Sequence, residues 1–134
     1  MELYIAPLGR AIERLDEGLR RCLLDPSDLL IRDGLIQRFE FSFDLAHKVL
    51  RRCLTLATSD PKTVEAMDMP ALVHLAHEQG VLPGDWPLWR VWHDLRAHVG
   101  HSDAEPMGPD VVAAIPRFLD ELRYLQRRLA GRVV

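Results

Sequence analysis

The chain has 134 residues, of which 48% are hydrophobic and 28% charged, a composition that fits one ordinary globular domain rather than a disordered segment or a membrane protein. With 17 Lys and Arg against 20 Asp and Glu, the formal net charge is −3, so the molecule as a whole has no cationic field with which to collect nucleic acid. A core of this size needs no disulfide or metal staple, and 22 Leu against 5 Ile, 10 Val and 3 Thr favour helix over strand. The expected architecture is all-α, a single domain over residues 1–134.

Leu8, Ile12, Leu15, Leu19 and Leu23 recur at spacings of three and four and predict a first helix, which Asp25-Pro26-Ser27 ends. From about Asp28 to Ala57 there is no Pro and one Gly, and Ile36, Phe39, Phe43, Ala46, Leu50 and Cys53 keep the helical alternation. Phe41, Leu45, Val49 and Leu56 supply a second apolar line, so this helix is expected to be buried on two sides and central to the bundle. Pro61 is placed to open a short helical turn, Pro70 to His77 reads as a modest helix ending at Gly80, and Asp85 is an N-cap followed by Pro87. Leu88, Trp92, Leu95 and Val99 then repeat at helical spacing up to Gly100, a helix stop. After a polar linker, Pro109 opens a last helix in which Pro116 predicts a kink or a later start. Four main helices with short connections pack most simply as an antiparallel up-and-down four-helix bundle.

Because the first two helices turn near Pro26, Cys22 and Cys53 are expected about 35 Å apart along the hairpin, too far for a disulfide. They read as buried thiols. The apolar stretches fall far short of a membrane span and Met-Glu-Leu-Tyr lacks the order of a signal peptide, so the protein is expected to be cytoplasmic and without a membrane partner. The central helix has apolar residues left over after one core is filled, and Phe39, Phe41 and Phe43 cannot all point to one side; a homodimer is expected.

Phosphate-binding glycine loops, a Gly-x-Ser-x-Gly elbow, paired zinc-finger cysteines and His-Glu-x-x-His are all missing from the chain. His74 and His77, and likewise His98 and His101, stand three apart, but no further ligand follows at a recognisable interval, and no metal site is expected. The sharper constellation is Asp94-Leu95-Arg96-Ala97-His98-Val99-Gly100-His101. On a continuous helix Arg96 and His101 would point about 140° apart; a left-handed Gly100 would let His101 fold back toward Arg96. An Arg to hold phosphate and a His to move a proton form a minimal kit for metal-free RNA cleavage through the 2′-hydroxyl. The plainer alternative is a surface arginine and a polar helix stop.

Two stretches carry a family resemblance: that element, and Arg32-Asp33-Gly34-Leu35-Ile36-Gln37-Arg38-Phe39-Glu40-Phe41-Ser42-Phe43-Asp44-Leu45-Ala46-His47-Lys48-Val49-Leu50. Together they resemble the nucleotidyltransferase substrate-binding protein family, helical-bundle partners of minimal nucleotidyltransferases within the wider HEPN class. The resemblance implies a homodimeric bundle that acts as the substrate-binding or regulatory subunit of a two-component, toxin-antitoxin type system. The separately encoded nucleotidyltransferase would supply the catalytic carboxylates, Mg and a nucleoside triphosphate, while this chain itself carries no cofactor and no complete catalytic set. It further implies substrate binding, of RNA or a nucleotide, through Arg38, Phe39, Glu40, Phe43, Arg96, His98 and His101. The alternative it offers is a HEPN-type metal-independent ribonuclease toxin using Arg96 and His101. Three departures stand out: Ala97 replaces the polar residue usual after the Arg, Asp103 stands where a modifiable Tyr would be, and His47 replaces a common Trp.

Overall fold

The computed structural model describes residues 5–99 and 108–130. Within them lie six helices and no strand: α1 (Ala6–Leu24), α2 (Leu29–Ala57), α3 (Pro61–Glu65), α4 (Met69–Glu78), α5 (Trp86–His98) and α6 (Gly108–Ala130). Four of these starts are set by an aspartate or a proline, and Pro61 and Asp85 stand where the sequence predicts them. Asp28 accepts from the backbone N–H of Leu30 and Ile31, Asp68 from Ala71, and Asp85 from Trp86, each satisfying a donor that the first turn would otherwise leave unpaired. Pro61 opens α3.

The bundle is assembled from an antiparallel α1–α2 hairpin, against which α5 and α6 pack. Gly18 faces Leu35 and Arg38, and Arg38 reaches the carbonyl of Arg14, so the two chains run in opposite senses from the Pro26 turn. Gly9 of α1 faces Gln126 of α6, whereas Gly108 at the start of α6 faces Arg32 near the start of α2; α6 is therefore antiparallel to α1 and parallel to α2, the diagonal relation of an up-and-down bundle. The core centre is aromatic. Phe39 and Phe43 from α2, Trp89 and Trp92 from α5 and Phe118 from α6 are all buried, with Phe118 5.3 Å from Phe39, 5.7 Å from Trp89 and 5.1 Å from Trp92, centroid to centroid. Such tilted contacts suit the ring quadrupoles.

Two polar devices fix the α4–α5 corner. At the end of α4 the N–H of Val81 bonds to Ala76 and that of Gly80 to His77, the paired bonds of a Schellman stop, with Gly80 at φ 73 where a side chain would be strained. Buried Glu121 of α6 accepts from the N–H of Gly84 and from Trp89 Nε1 through one oxygen, both at 2.9 Å. The turn and the start of α5 are thereby tied to α6.

Several expectations need correction. Leu23 is 60% exposed, and Cys22 is buried in its place: fifteen residues past Leu8 the helix has turned about 60° beyond the core line, whereas Cys22 lies within about 40° of it. The second apolar line of α2 is buried only at Val49, since Phe41 is 59% exposed and Leu45 and Leu56 are only half-buried. The short α3 packs on the C-terminal half of α2, where Arg51 meets the carbonyls of Val64, Glu65 and Met67. The last helix begins at Gly108 and continues through Pro116; Pro116 is exposed, so the Val112 carbonyl that loses its amide partner lies on the watered side. Helix α5 ends at His98, with Val99 already extended at φ −65 and ψ 145, one residue before the expected stop. Gly100 and His101 lie outside the described residues. As expected, Cys22 and Cys53 are both buried and neither is in a disulfide.

Candidate functional site

Nearly two turns of α2 distribute the Arg38–Asp44 run over four faces. Phe39 and Phe43, four apart, enter the core at 0% and 4% exposure. Arg38 and Ser42, also four apart, lie toward α1: Arg38 Nη1 donates to the Arg14 carbonyl at 2.7 Å, and Ser42 Oγ donates to the Arg38 carbonyl at 2.7 Å. Glu40 and Asp44 face α5, and Phe41 points outward. The spacing of the run is thus a recipe for attaching one helix to two neighbours while leaving a single aromatic ring in solvent.

The face toward α5 holds Arg96. Its Nε and Nη2 donate to the two oxygens of Asp44, each at 3.0 Å, and its Nη1 lies 3.5 Å from Glu40 Oε2. This is a bidentate fork with a second carboxylate alongside, and the Asp44 hydrogen bonds hold the guanidinium above its ordinary basicity despite partial burial. The Nε edge that would best clamp a phosphate is already occupied.

Next along the same seam are two histidines. His93, three residues before Arg96, sets its ring edge-on to Trp86 at 5.3 Å and Phe43 at 6.3 Å. His47 is pushed below the usual imidazole range by burial and then by the Arg51 charge; Arg51 Nη2 lies 2.9 Å from His47 Nε2. Arg51 is itself committed, since its Nη1 donates to the carbonyls of Val64, Glu65 and Met67 at 3.0, 3.2 and 2.9 Å. It caps the C-terminal end of α3. Beside these residues a groove of about 590 Å³ runs along α2, bordered by Asp44, Lys48, Arg52 and Glu65. A second, of about 460 Å³, lies between α1 and α2 beside Arg14, Gln37, Arg38 and Phe41.

The structure therefore gathers only part of the predicted constellation. Glu40 and Arg96 meet; Arg38 sits on the α1 side of α2, and Phe39 and Phe43 are enclosed in the core, where no ligand reaches them in this conformation. His98 lies two residues past Arg96, about 200° around the helix, exposed, with Nδ1 2.7 Å from the Asp94 carbonyl. His101 falls outside the described residues. Asp44, His93 and Arg51 were not singled out from sequence as site residues. The one available signal was the four-residue spacing of Glu40 and Asp44, which puts two carboxylates on one helix face; their partner, 52 residues away from Asp44, leaves no local trace. Among the described residues no three His, Cys, Asp or Glu side chains come close enough to hold a metal ion, and no helix is long and apolar enough to cross a membrane.

Residues 3–131 match the family described as nucleotidyltransferase substrate binding protein like. Over 99 residues, 74% of this chain and 67% of the relative, the sequence is 28% identical to a Haemophilus influenzae protein named "Probable ribonuclease HepT". The fold is similar to that of a solved H. influenzae structure, described as revealing the fold of a substrate binding domain of a nucleotidyltransferase. The TM-score is 0.83, with 23% identity, covering 95% of this chain and 99% of that one.

Proposed function

The chain belongs to the nucleotidyltransferase substrate-binding protein-like family, and from that premise we propose that it is the substrate-binding or regulatory subunit of a two-component minimal nucleotidyltransferase system of toxin-antitoxin type. A separately encoded nucleotidyltransferase is its partner and supplies the carboxylates, Mg and nucleoside triphosphate for transfer; this chain binds and presents a nucleotide or RNA in the cytoplasm as a homodimer. Exposed Phe41, on the outer face of α2 beside the α1–α2 groove, supports a protein contact there.

The observation that carries the reading is the state of Arg96. Bound through Nε and Nη2 by Asp44 and flanked by Glu40, it is a structural clasp between α2 and α5. A ribonuclease using Arg96 to neutralise a phosphate would first have to separate this charge-assisted pair. The second reading, a metal-independent ribonuclease in which Arg96 and His101 act on the 2′-hydroxyl and phosphate of RNA, is favoured by the likeness to the protein named ribonuclease HepT. Co-expression with the partner transferase followed by size exclusion tests the first, and incubation of the purified chain with RNA tests the second. Co-elution without cleavage is the expected pair of results; cleavage abolished by both Arg96→Ala and His101→Ala would replace the first reading by the second.

A further inference from the structure

The strongest unassigned feature is the groove on the C-terminal half of α2. Lys48 and Arg52 stand four residues apart on one helix face, and both border the groove. Like charges at this spacing work against a helix. The helix dipole does not explain them, because its effect is confined to the last turn and Lys48 lies nine residues before Ala57, the end of α2. The Lys48 ammonium has no hydrogen bond or ion pair among the described residues.

The rest of the wall is prepared for an anion on one side and for hydroxyl or amine groups on the other. A guanidinium can only donate, so Arg51 Nη2 against His47 Nε2 at 2.9 Å fixes that nitrogen as the acceptor and leaves the proton of the neutral ring on Nδ1. His47, with its Nε2 taken by Arg51, and Thr55 also line the groove. Arg51 is immobilised by the α3 carbonyls and makes the wall rigid. Of the two carboxylates, Asp44 is neutralised by Arg96, while Glu65 borders the groove from α3 as an acceptor suited to a sugar hydroxyl or an exocyclic amine. A space of about 590 Å³ is within the usual size of a small-molecule site and far larger than a bare phosphate ion.

We propose that this groove binds a nucleotide, with its phosphoryl group on Lys48 and Arg52 and its sugar or base toward Glu65. The choice of a nucleotide rests on the substrate-binding reading above; the phosphoryl site rests on the side chains alone. Because Asp44 belongs both to the groove and to the Arg96 clasp, a ligand seated here lies next to the seam that joins α2 to α5.

Isothermal titration of the full chain with ATP, inorganic phosphate and adenosine tests the site without any transferase present. ATP is expected to bind, phosphate at least tenfold more weakly, and adenosine more weakly again. Lys48→Ala and Arg52→Ala should each weaken ATP binding about fivefold or more, and the double charge reversal Lys48→Glu/Arg52→Glu should abolish it. Arg117→Ala, an exposed cation on α6, should change it less than twofold. Both groove residues are exposed, and circular dichroism of each variant verifies that the helices remain. Absence of ATP binding, unchanged affinity in the double variant, or adenosine binding as tightly as ATP would overturn the phosphoryl site; phosphate binding as tightly as ATP would overturn the nucleotide. Co-elution of the double variant with the transferase separates the two levels, because it is expected to persist when ATP binding is lost.

Discussion

Replacing Glu121 by Ala tests whether the corner that aims α5 is held by a single buried oxygen. Glu121 is 1% exposed, and its Oε1 accepts from both Gly84 N–H and Trp89 Nε1 at 2.9 Å. Trp89 is fully buried, so its orphaned indole N–H should cost about 2–3 kcal/mol, while half-buried Gly84 can recover a water and should cost about 1 kcal/mol. The expected loss is therefore about 3–4 kcal/mol, a large share of the stability of a domain of this size. Glu121→Gln keeps an amide oxygen for the same two donors and should cost about 1 kcal/mol or less. Urea unfolding followed by circular dichroism measures both, and the near-ultraviolet signal of the tryptophans reports the corner directly. A loss below about 1 kcal/mol for Ala, or equal losses for Ala and Gln, would show that the pin does not hold α5.

A double-mutant cycle on Asp44→Ala and Arg96→Ala should give a coupling of about 1 kcal/mol, at the upper end for a half-exposed pair because the fork is bidentate; no coupling at low salt would remove the clasp from the account. Gly84→Ala places a Cβ 2.6 Å from Leu88 Cδ2 and 2.9 Å from Glu121 Oε1, so its melting temperature should fall by several degrees, whereas the open position Gly34, with nothing within 4 Å, should tolerate Ala or gain from it in a helix. His74 is raised above 6.5, first by its hydrogen bond to Asp85 and then by the Asp85 and Glu78 charges. Its folded-state pKa exceeds the unfolded one, so its contribution is complete below pH 6.5 and is lost as pH rises through the raised value. His74→Gln should flatten that decline in melting temperature, and an unchanged pH profile would refute it. His47 is lowered, so its folding penalty appears as pH falls below 6.5 toward the lower folded value, and His47→Gln should ease acid destabilisation.

What could be read from the sequence was what repeats locally. The periodicity of Phe39, Phe43, Ala46 and Leu50 and the caps at Asp28, Pro61 and Asp85 are properties of a few neighbouring residues, and they locate α2, α3 and α5 closely. Leu23 misled because a spacing of three and four drifts off a 3.6-residue helix over four turns. Phe41 and Leu45 look like core by composition, yet nothing in α2 itself says which of its faces the neighbouring helices leave open. The site was legible to a similar degree. Arg96 was identifiable from Arg-x4-His, but its commitment to Asp44 depends on the α2–α5 packing, and Phe39 and Phe43, named for substrate binding through the family resemblance, are core rings on a helix whose Glu40 and Asp44 lie about 100° further round, toward α5. Of the groove residues, Lys48 lies in the stretch that carries the family resemblance and Arg52 lies outside it; they come together with Glu65 only when α3 folds back over α2.

The most direct measurement is sedimentation velocity of this chain, the partner minimal nucleotidyltransferase, and their mixture at about 20 µM, far above the Kd of a stable subunit pair. The account predicts that this chain alone sediments as a dimer and that the mixture forms one faster species containing both proteins. A mixture that sediments as the sum of its two components would contradict it.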